Sequence, residues 1–587
     1  MRSDIQALRG FSILVVLLYH AQFGWLKGGF LGVDIFFVIS GFVITSKLME
    51  GDGTLGKQVK EFYLRRAKRI LPASLTVSIL TAVLAIFFLP AVARSRLSLD
   101  ALSSALFSTN LHFARLGNDY LAQSSDPSPF LHYWSLGVEE QFYVVWPILF
   151  LLLYKRNKKW LFPTLLVTTL FAFWFTSINP VLSFYIPFTR FWEFFAGIIL
   201  AMNPAFRVPR RLALPTAIIG WVTISCATLF ISIHDATPGF TTIIAVAGAM
   251  LVLLARIDVK QEFLLPRLGD YSFSLYLVHW PIVVFFLARN STLTSIAKVE
   301  IILISLLFSF LLTHFVEKPF RFKKRLTLSL TQWTVVVLAG SIVSFGSLAA
   351  TASTSQALDT SLPATYADGC HLPFGKAWPT KPCIYGDMSS TTEIILAGDS
   401  HAAQWFPVVE KIAKTRHWKL LNLTKSSCPA TTLETVRNGK LDSSCAIWQV
   451  KLITKINMDK PKFVLISNFT EYQYPLNKPS GNYLASWKRG LASFVSQIRS
   501  PYILIGDTPK PTSSVIDFLP TRSKVSLQSE ELAKKLGAQY IDTASWLCTD
   551  TCPIRYAGTN TYRDATHISV HTALALYGKL LAVLPSI

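Results

Sequence analysis

Three residues in this sequence have the types and the order that acyl transfer requires. Ser400 stands in "EIILAGDSHAAQ" (393–404), where an apolar run ends in a Gly398-Asp399-Ser400 turn, and "YRDATHIS" near the C-terminus supplies Asp564 and His567 in a D-x-x-H spacing. A serine hydroxyl is a weak nucleophile until a histidine takes its proton and a carboxylate holds that histidine in the right tautomer. Ser400, Asp564 and His567 are therefore the candidates for a nucleophile, an orienting acid and a base. Asp399 also has a simpler reading, as the cap of the following helix.

A second set lies in the N-terminal half. Ionisable residues inside apolar spans are costly and by default point to function. Arg9 and His20 are eleven residues apart, about three helical turns, so they share one helix face with ~16 Å between their Cα atoms. Asp34 begins the next span, Glu139 and Glu140 lie in "WSLGVEEQFY", Arg190 and Glu193 in "TRFWEFF", and His279 in "SFSLYLVHWP". His20 is the candidate general base, with Asp34 or a Glu to orient it; as alternatives, His20 bonds a neighbouring helix and Asp34 caps its own. Arg65, Arg66 and Arg69 form a basic cluster whose guanidinium forks suit phosphates. A plain topological anchor on lipid phosphates is the competing reading of that cluster.

These residues need two kinds of scaffold. The 587 residues are 51% hydrophobic and only 15% charged, too apolar for one soluble domain and too long for one core. Taking about 20 residues to cross a ~30 Å hydrocarbon core, spans are expected near 8–22, 30–48, 71–89, 134–154, 161–177, 184–202, 213–233, 240–256, 271–288, 299–316 and 333–350. With the N-terminus inside, the inner loops hold twenty-two Lys and Arg and the outer loops six. That asymmetry orients the chain and puts residues 351–587 outside. It also accounts for the net charge of +22 without nucleic acid as a partner. "MRSDIQALRGFSILVVLLYHAQ" lacks a small-residue cleavage site, so no cleavable signal peptide is expected.

Cysteine usage agrees with this placement. Cys226 lies in a span, whereas Cys370, Cys383, Cys428, Cys445, Cys548 and Cys552 are all in the outer segment. An even set on one side suits disulfides in an oxidising compartment, and neighbour pairing is the simplest of the fifteen connectivities. Residues 351–369 read as a small, polar linker into a second domain, followed by a disulfide-clipped extension. The apolar runs "EIILAG", "KFVLIS", "YILIGD" and "AQYIDT" then alternate with helical segments, predicting a parallel α/β sheet whose sites form at the carboxyl ends of its strands.

The GDS turn after a strand, paired with the terminal D-x-x-H, resembles the SGNH (GDSL-like) hydrolases over residues 391–587. That resemblance implies an oxyanion hole built from the Ser400 amide, a glycine and an asparagine, the last matched by Asn468 in "LISNFT" unless that is only a turn residue; "NLTKSSCPA" offers no glycine. The first 320 residues resemble the acyltransferase-3 family through "LRGFSILVVLLYH", "GVDIFFVISGF", "FYLRRAKRILP", "WSLGVEEQFY" and "YSFSLYLVHWP". This implies acetyl-CoA as a cytoplasmic donor, held by Arg9, Arg65, Arg66 and Arg69, with catalysis by His20 and Asp34. Glu139, Glu140, Arg190, Glu193, His279 and Glu317 are further candidates.

The expected architecture is a polytopic α-helical membrane domain (1–320), an inner basic loop and last span (321–352), a linker and extension (353–391) and an extracytoplasmic SGNH-like domain (392–587). Members with both parts are similar to O-acetyltransferases of bacterial surface polysaccharides. The resemblance therefore implies a multi-pass protein of the bacterial inner membrane that moves acetyl to a surface polysaccharide or its lipid-linked precursor. Lipopolysaccharide O-antigen is the favoured acceptor; peptidoglycan or another envelope glycan is the alternative. A membrane-anchored acetylesterase would need Ser400 but neither His20 nor the inner arginines, and a transporter would need the charged spans but no serine triad. No metal and no tightly bound cofactor are expected.

Overall fold

The computed structural model describes residues 2–51, 54–89, 91–116, 127–154, 157–203, 206, 208–231, 237–289, 293–322, 328–353, 359, 361–437, 440–470, 483–509, 524–549, 551–553, 555–564 and 566–586. Parts of the segments between the expected spans 71–89 and 134–154, between 134–154 and 161–177 and between 299–316 and 333–350, and of the linker, lie outside these residues. Two compact units are distinguished, one drawn from residues 1–349 and the other dominated by residues 350–587.

The first unit is helical. Among the described residues, eight helices, from Gly29–Met49 to Thr331–Ala350, are long and apolar enough to cross a membrane. Helices also form at the other three expected spans. Phe191–Met202 and Phe240–Ala255 are shorter, while Ser3–His20 carries Asp4, Gln6, Arg9 and His20. This polar first helix is buried by its neighbours, which is how such residues are tolerated. It lies against Leu264–Arg289 at very short range. A Cβ added to Gly10 would sit 1.9 Å from the Leu265 carbonyl oxygen, and one added to Gly269 2.0 Å from that of Gln6. Small residues at such a seam let two backbones approach, and this seam places His20 beside His279.

The second unit is built on a seven-stranded sheet: β1 (His371–Leu372), β2 (Ile384–Gly386), β3 (Glu393–Gly398), β4 (Lys419–Lys425), β5 (Phe463–Ser467), β6 (Tyr502–Ile505) and β7 (Gln539–Ile541). The order is β1-β4-β3-β5-β6-β7, all parallel, with β2 antiparallel on β4. Period-2 alternation splits the strand residues between two cores. Ile394 and Leu396 pack with Val409 and Ile412 of helix Phe406–Thr415, and Ile395 and Ala397 with Trp448 and Leu452 of helix Ser443–Asp459. With both faces covered, the central strands read as the continuous apolar runs seen in the sequence. β4 carries Asn422, Thr424 and Lys425 and is legible only in three dimensions, where all three are buried. The disulfides are Cys370–Cys383, Cys428–Cys445 and Cys548–Cys552, the neighbour pairing.

Candidate active site

Four adjacent strands deliver polar residues to the carboxyl edge of the sheet: Asp399 and Ser400 follow β3, Ser426 follows β4, Asn468 follows β5 and Asp507 follows β6. The turn after β3 demands glycine, since Gly398 has φ +142° and a Cβ there would lie 1.8 Å from the Ser467 oxygen. Asp399 caps the short helix Ser400–Ala403, accepting from the His401 amide at 2.8 Å through Oδ1. Its Oδ2 accepts from the Phe469 amide at 2.8 Å, tying the turn to the segment after β5. Because Gly398 is level with Ser467 and Thr424, Ser400 is flanked by Asn468 on one side and the 426–428 turn on the other. Asn468 Oδ1 accepts from the Ala430 amide at 2.8 Å, which leaves the Nδ2 amine to donate. Ser427, with φ +50°, holds the left-handed conformation usual for glycine in the turn where the sequence offered none.

Asp564 and His567 are brought together by their own turn. His567 Nδ1 lies 2.8 and 2.9 Å from the Asp564 oxygens, and the His567 amide donates to the same carboxylate at 2.8 Å. With Nδ1 carrying the proton, Nε2 is the acceptor of the neutral ring. This Nε2 is buried and has no hydrogen-bond partner among the described residues. The turn is tied to the serine helix by the Ile568 amide donating to Gln404 Oε1 at 2.9 Å. No hydrogen bond joins Ser400 Oγ to His567 among the described residues; catalytic contacts of this kind commonly close only around substrate. Burial and then the neighbouring His401 lower the His567 imidazole to about 4, against the pull of Asp564. Burial raises the Asp564 carboxyl, but the His567 bond and charge and Arg563 leave it far below the ordinary carboxylate range.

A second histidine–aspartate pair, unforeseen from the sequence, abuts the first. His401 Nδ1 lies 2.6 Å from Asp507 Oδ1, and its ring centroid is 4.5 Å from that of His567. Asp507 Oδ2 accepts from the Thr470 amide and hydroxyl at 2.8 and 2.9 Å. Burial lowers the His401 imidazole, but Asp507 more than offsets this and raises it, while the Asp507 carboxyl is held low. The available signals were a histidine directly after Ser400 and an aspartate directly after "YILIG".

In the helical unit the candidate residues sort into separate groups. His20 Nδ1 lies 2.9 Å from His279 Nε2, and His279 Nδ1 lies 2.8 Å from the Tyr276 carbonyl oxygen. Asp34 does not reach His20: its Oδ1 accepts from Arg190 Nη1 at 2.8 Å, and the same nitrogen donates to Glu193 Oε1 at 3.2 Å. Buried charges need partners, and this ion pair supplies them, so the expected Asp34–His20 orientation is replaced by His279–His20. Arg9, Arg66 and Arg69 line one cavity with Glu139, Tyr143 and Tyr276. Arg65 is absent from it; its side chain is 66% exposed and pairs with Glu61 at 3.3 Å. Helix geometry separates them, since residues 65 and 66 point about 100° apart. Arg66 lies over the Tyr143 ring at 3.7 Å and within 3.8 Å of Glu139 and Glu140. Glu317 accepts from Ser274 at 3.0 Å and pairs with Arg321 at 3.4 Å. Tyr276 links the cavity to the histidines, its ring centroid 5.5 Å from that of His279.

Residues 2–316 match the acyltransferase domain family, and residues 369–581 match the SGNH domain that is fused to such domains. The chain belongs to the acyltransferase-3 family. Among similar members, peptidoglycan O-acetyltransferase OatA of Listeria monocytogenes is 31% identical over 307 residues, 48% of this chain and 49% of that protein. The putative membrane-bound transacylase BcsY of Komagataeibacter xylinus is 33% identical over 48% of this chain and 73% of its own. O-acetyltransferase OatA of Staphylococcus aureus is 30% identical over 54% and 57%. The chain spans about half the length of the two OatA proteins. A solved periplasmic domain of a Salmonella ser. Paratyphi A lipopolysaccharide acetyltransferase aligns with 38% of this chain and 87% of its own, with 17% identity and TM-score 0.28. As an acyltransferase-3 protein fused to an SGNH domain, the chain carries both candidate sites in one polypeptide.

Proposed function

We propose that this protein is an O-acetyltransferase that takes acetyl from acetyl-CoA in the cytoplasm and delivers it to hydroxyls of an envelope glycan. The observation that carries this reading is the presence in one chain of an arginine-lined cavity beside a buried histidine pair and a Ser400, Asp564, His567 site at a sheet edge. An esterase would use only the second and a transporter only the first. The names of the relatives favour peptidoglycan over lipopolysaccharide O-antigen as the acceptor. The excess of Lys and Arg in the inner loops supports a multi-pass inner-membrane protein whose SGNH domain lies outside.

On this reading Arg9, Arg66 and Arg69 hold the CoA phosphates, and His20 Nε2 takes the proton of the acceptor hydroxyl as its oxygen bonds to the acetyl carbon; the thioester C–S bond breaks, and the proton passes from His20 to the CoA sulfur, which leaves as the thiol. In the outer domain, Ser400 Oγ attacks the carbonyl of the acetyl brought by that acceptor while His567 Nε2 takes the Ser400 proton; the bond to the acceptor oxygen breaks and His567 returns the proton to that oxygen as it leaves. The Ser400 and Ser427 amides and Asn468 Nδ2 are the donors for the oxyanion. A glycan hydroxyl then attacks acetyl-Ser400, its proton passes to His567, and Ser400 leaves with the proton restored. The test is ester-linked acetate on purified envelope glycan, measured by NMR in cells making wild-type protein or Ser400→Ala. Loss of the ester in the variant is expected. An unchanged ester would remove the acyl-serine step, and a raised one would identify an esterase.

A further inference from the structure

The disulfide-clipped extension builds a cavity of its own at the carboxyl edge of the sheet. Its volume is ≈ 240 Å³, and its lining includes Tyr366, His371, Lys376, Trp378, Thr380 and Ser426. Several ties make it rigid. His371 pairs in register with Thr424 of β4, and the Cys370–Cys383 disulfide closes the segment. The buried Lys425 ammonium donates to the Lys376 carbonyl oxygen at 2.9 Å, fixing the loop from beneath. The His371 ring nitrogens lie 3.0 Å from Thr424 Oγ1 and 2.9 Å from Ser426 Oγ, and Tyr366 stacks on the ring at 4.2 Å.

Two walls adjoin the catalytic residues. Ser426 directly follows β4, the strand next to the one that ends in Ser400. Arg563 Nη2 donates to the Tyr366 hydroxyl at 3.4 Å, and its Nε donates to Asp564 Oδ2 at 3.3 Å. By contrast, the Lys376 ammonium, the Thr380 hydroxyl and the Trp378 indole N–H have no hydrogen-bond partner among the described residues. Aromatic surface combined with unspent donors is the chemistry that receives a pyranose, whose C–H face packs on a ring while its hydroxyls bond to the rim.

We propose that this cavity is the acceptor subsite, holding one sugar ring of the glycan so that a hydroxyl of the chain meets the acetyl group on Ser400. The inference rests on Ser400 being the acetyl carrier. The acceptor oxygen bonds to the acetyl carbon, the bond to Ser400 Oγ breaks, and the acceptor proton passes through His567 Nε2 to Ser400.

The test uses the full-length protein in cells, with membrane levels matched by immunoblot. Lys376→Ala, Thr380→Val and Trp378→Ala are compared with wild type by two readouts: ester-linked acetate on the glycan, and acetyl on the Ser400 peptide by mass spectrometry. Each variant should lower the glycan ester about fivefold, the loss of roughly one hydrogen bond or ring contact, while acetyl-Ser400 stays at or above the wild-type level because it forms but is not discharged. Lys376 and Thr380 are exposed, so their variants keep the test valid if Trp378→Ala does not accumulate. Unchanged glycan ester in Lys376→Ala and Thr380→Val, or loss of acetyl-Ser400 together with the ester, overturns the subsite. Absence of acetyl on Ser400 in the wild type would instead remove the carrier reading itself, and the subsite with it.

Discussion

His20 Nδ1 and His279 Nε2 are 2.9 Å apart, and that contact assigns the tautomers of both rings. His279 Nδ1 faces the carbonyl oxygens of Tyr276 at 2.8 Å and Leu275 at 3.2 Å, which only accept. The His279 proton is therefore on Nδ1 and its Nε2 accepts, so His20 must donate from Nδ1 and keep its lone pair on Nε2. A backbone carbonyl and a second imidazole do for His20 what a carboxylate does for His567.

Three substitutions separate orientation from simple packing at this pair. His279→Leu removes the acceptor for His20 Nδ1 and should lower acetyl transfer in membrane vesicles by about 10²–10⁴, the range for loss of a positioned base. His279→Gln retains an acceptor oxygen and should recover much of that loss. His20→Gln, unable to take a proton, should not. Equal rates for the two His279 variants would show that the tautomer is set elsewhere.

The arginines should divide by position. Arg69→Ala and Arg66→Ala, inside the cavity, are expected to raise the KM for acetyl-CoA by about tenfold or more, since a charge-assisted hydrogen bond is worth about 1.5–3 kcal/mol. Arg65→Ala, exposed and paired only with Glu61, should leave the KM within about twofold. Steady-state kinetics in vesicles with labelled acetyl-CoA checks both. An Arg65 effect as large as that of Arg69 would return the cluster to a general topological role.

The pH dependence of the SGNH-domain site should move when His401 is changed. His567 must be neutral to take a proton, and its imidazole is lowered to about 4 by burial and then by His401. His401→Gln removes an imidazole whose ring centroid lies 4.5 Å from that of His567 and whose charge lowers it, while retaining a bond to Asp507. The His567 pKa then rises toward its ordinary ~6.5, and the acidic limb of the rate profile shifts to higher pH. Hydrolysis of a chromogenic acetate ester by the full-length protein should therefore fall more at about pH 5 than at about pH 8. Superimposable profiles would show that the His401–Asp507 pair is electrostatically silent.

The seam between the first helix and Leu264–Arg289 should be intolerant of bulk. Gly269→Val places a branched side chain where even a Cβ would lie 2.0 Å from the Gln6 oxygen, so the helices must part. Overpacking of this kind costs about 1–3 kcal/mol and here also separates His20 from His279. Thermal unfolding of the detergent-solubilised protein should show a lower Tm, with transfer lost. Gly346→Ala, where a Cβ meets nothing within 4 Å, is the matched control and should behave as wild type.

Much of the SGNH-domain site was legible because its signals are local. The Gly398-Asp399-Ser400 turn and the Asp564 and His567 spacing each lie within a few residues, so backbone geometry alone constrains them, and the cysteine pairs join sequence neighbours 13, 17 and 4 positions apart. β4 was hidden because Asn422, Thr424 and Lys425 interrupt its apolar pattern. The Asn422 side-chain NH2, the Thr424 hydroxyl and the Lys425 ammonium find partners in the extension around residues 370–376, more than forty positions away in sequence. Asp507 was hidden for the same reason: its partner His401 is 106 residues distant.

In the helical unit, residue types announced which side chains were unusual, but not which of them meet. A charged or polar group in an apolar span must find a partner, and the sequence by itself established that Arg9, His20, Asp34, Arg190, Glu193 and His279 need one. The choice of partner depends on which helix faces touch, and that is set by close approach at positions such as Gly10 and Gly269, whose contacts are with residues more than 250 positions away. Tertiary structure alone therefore decided that Asp34 serves Arg190, that His279 serves His20, and that Arg65 turns away from the cavity its two neighbours line.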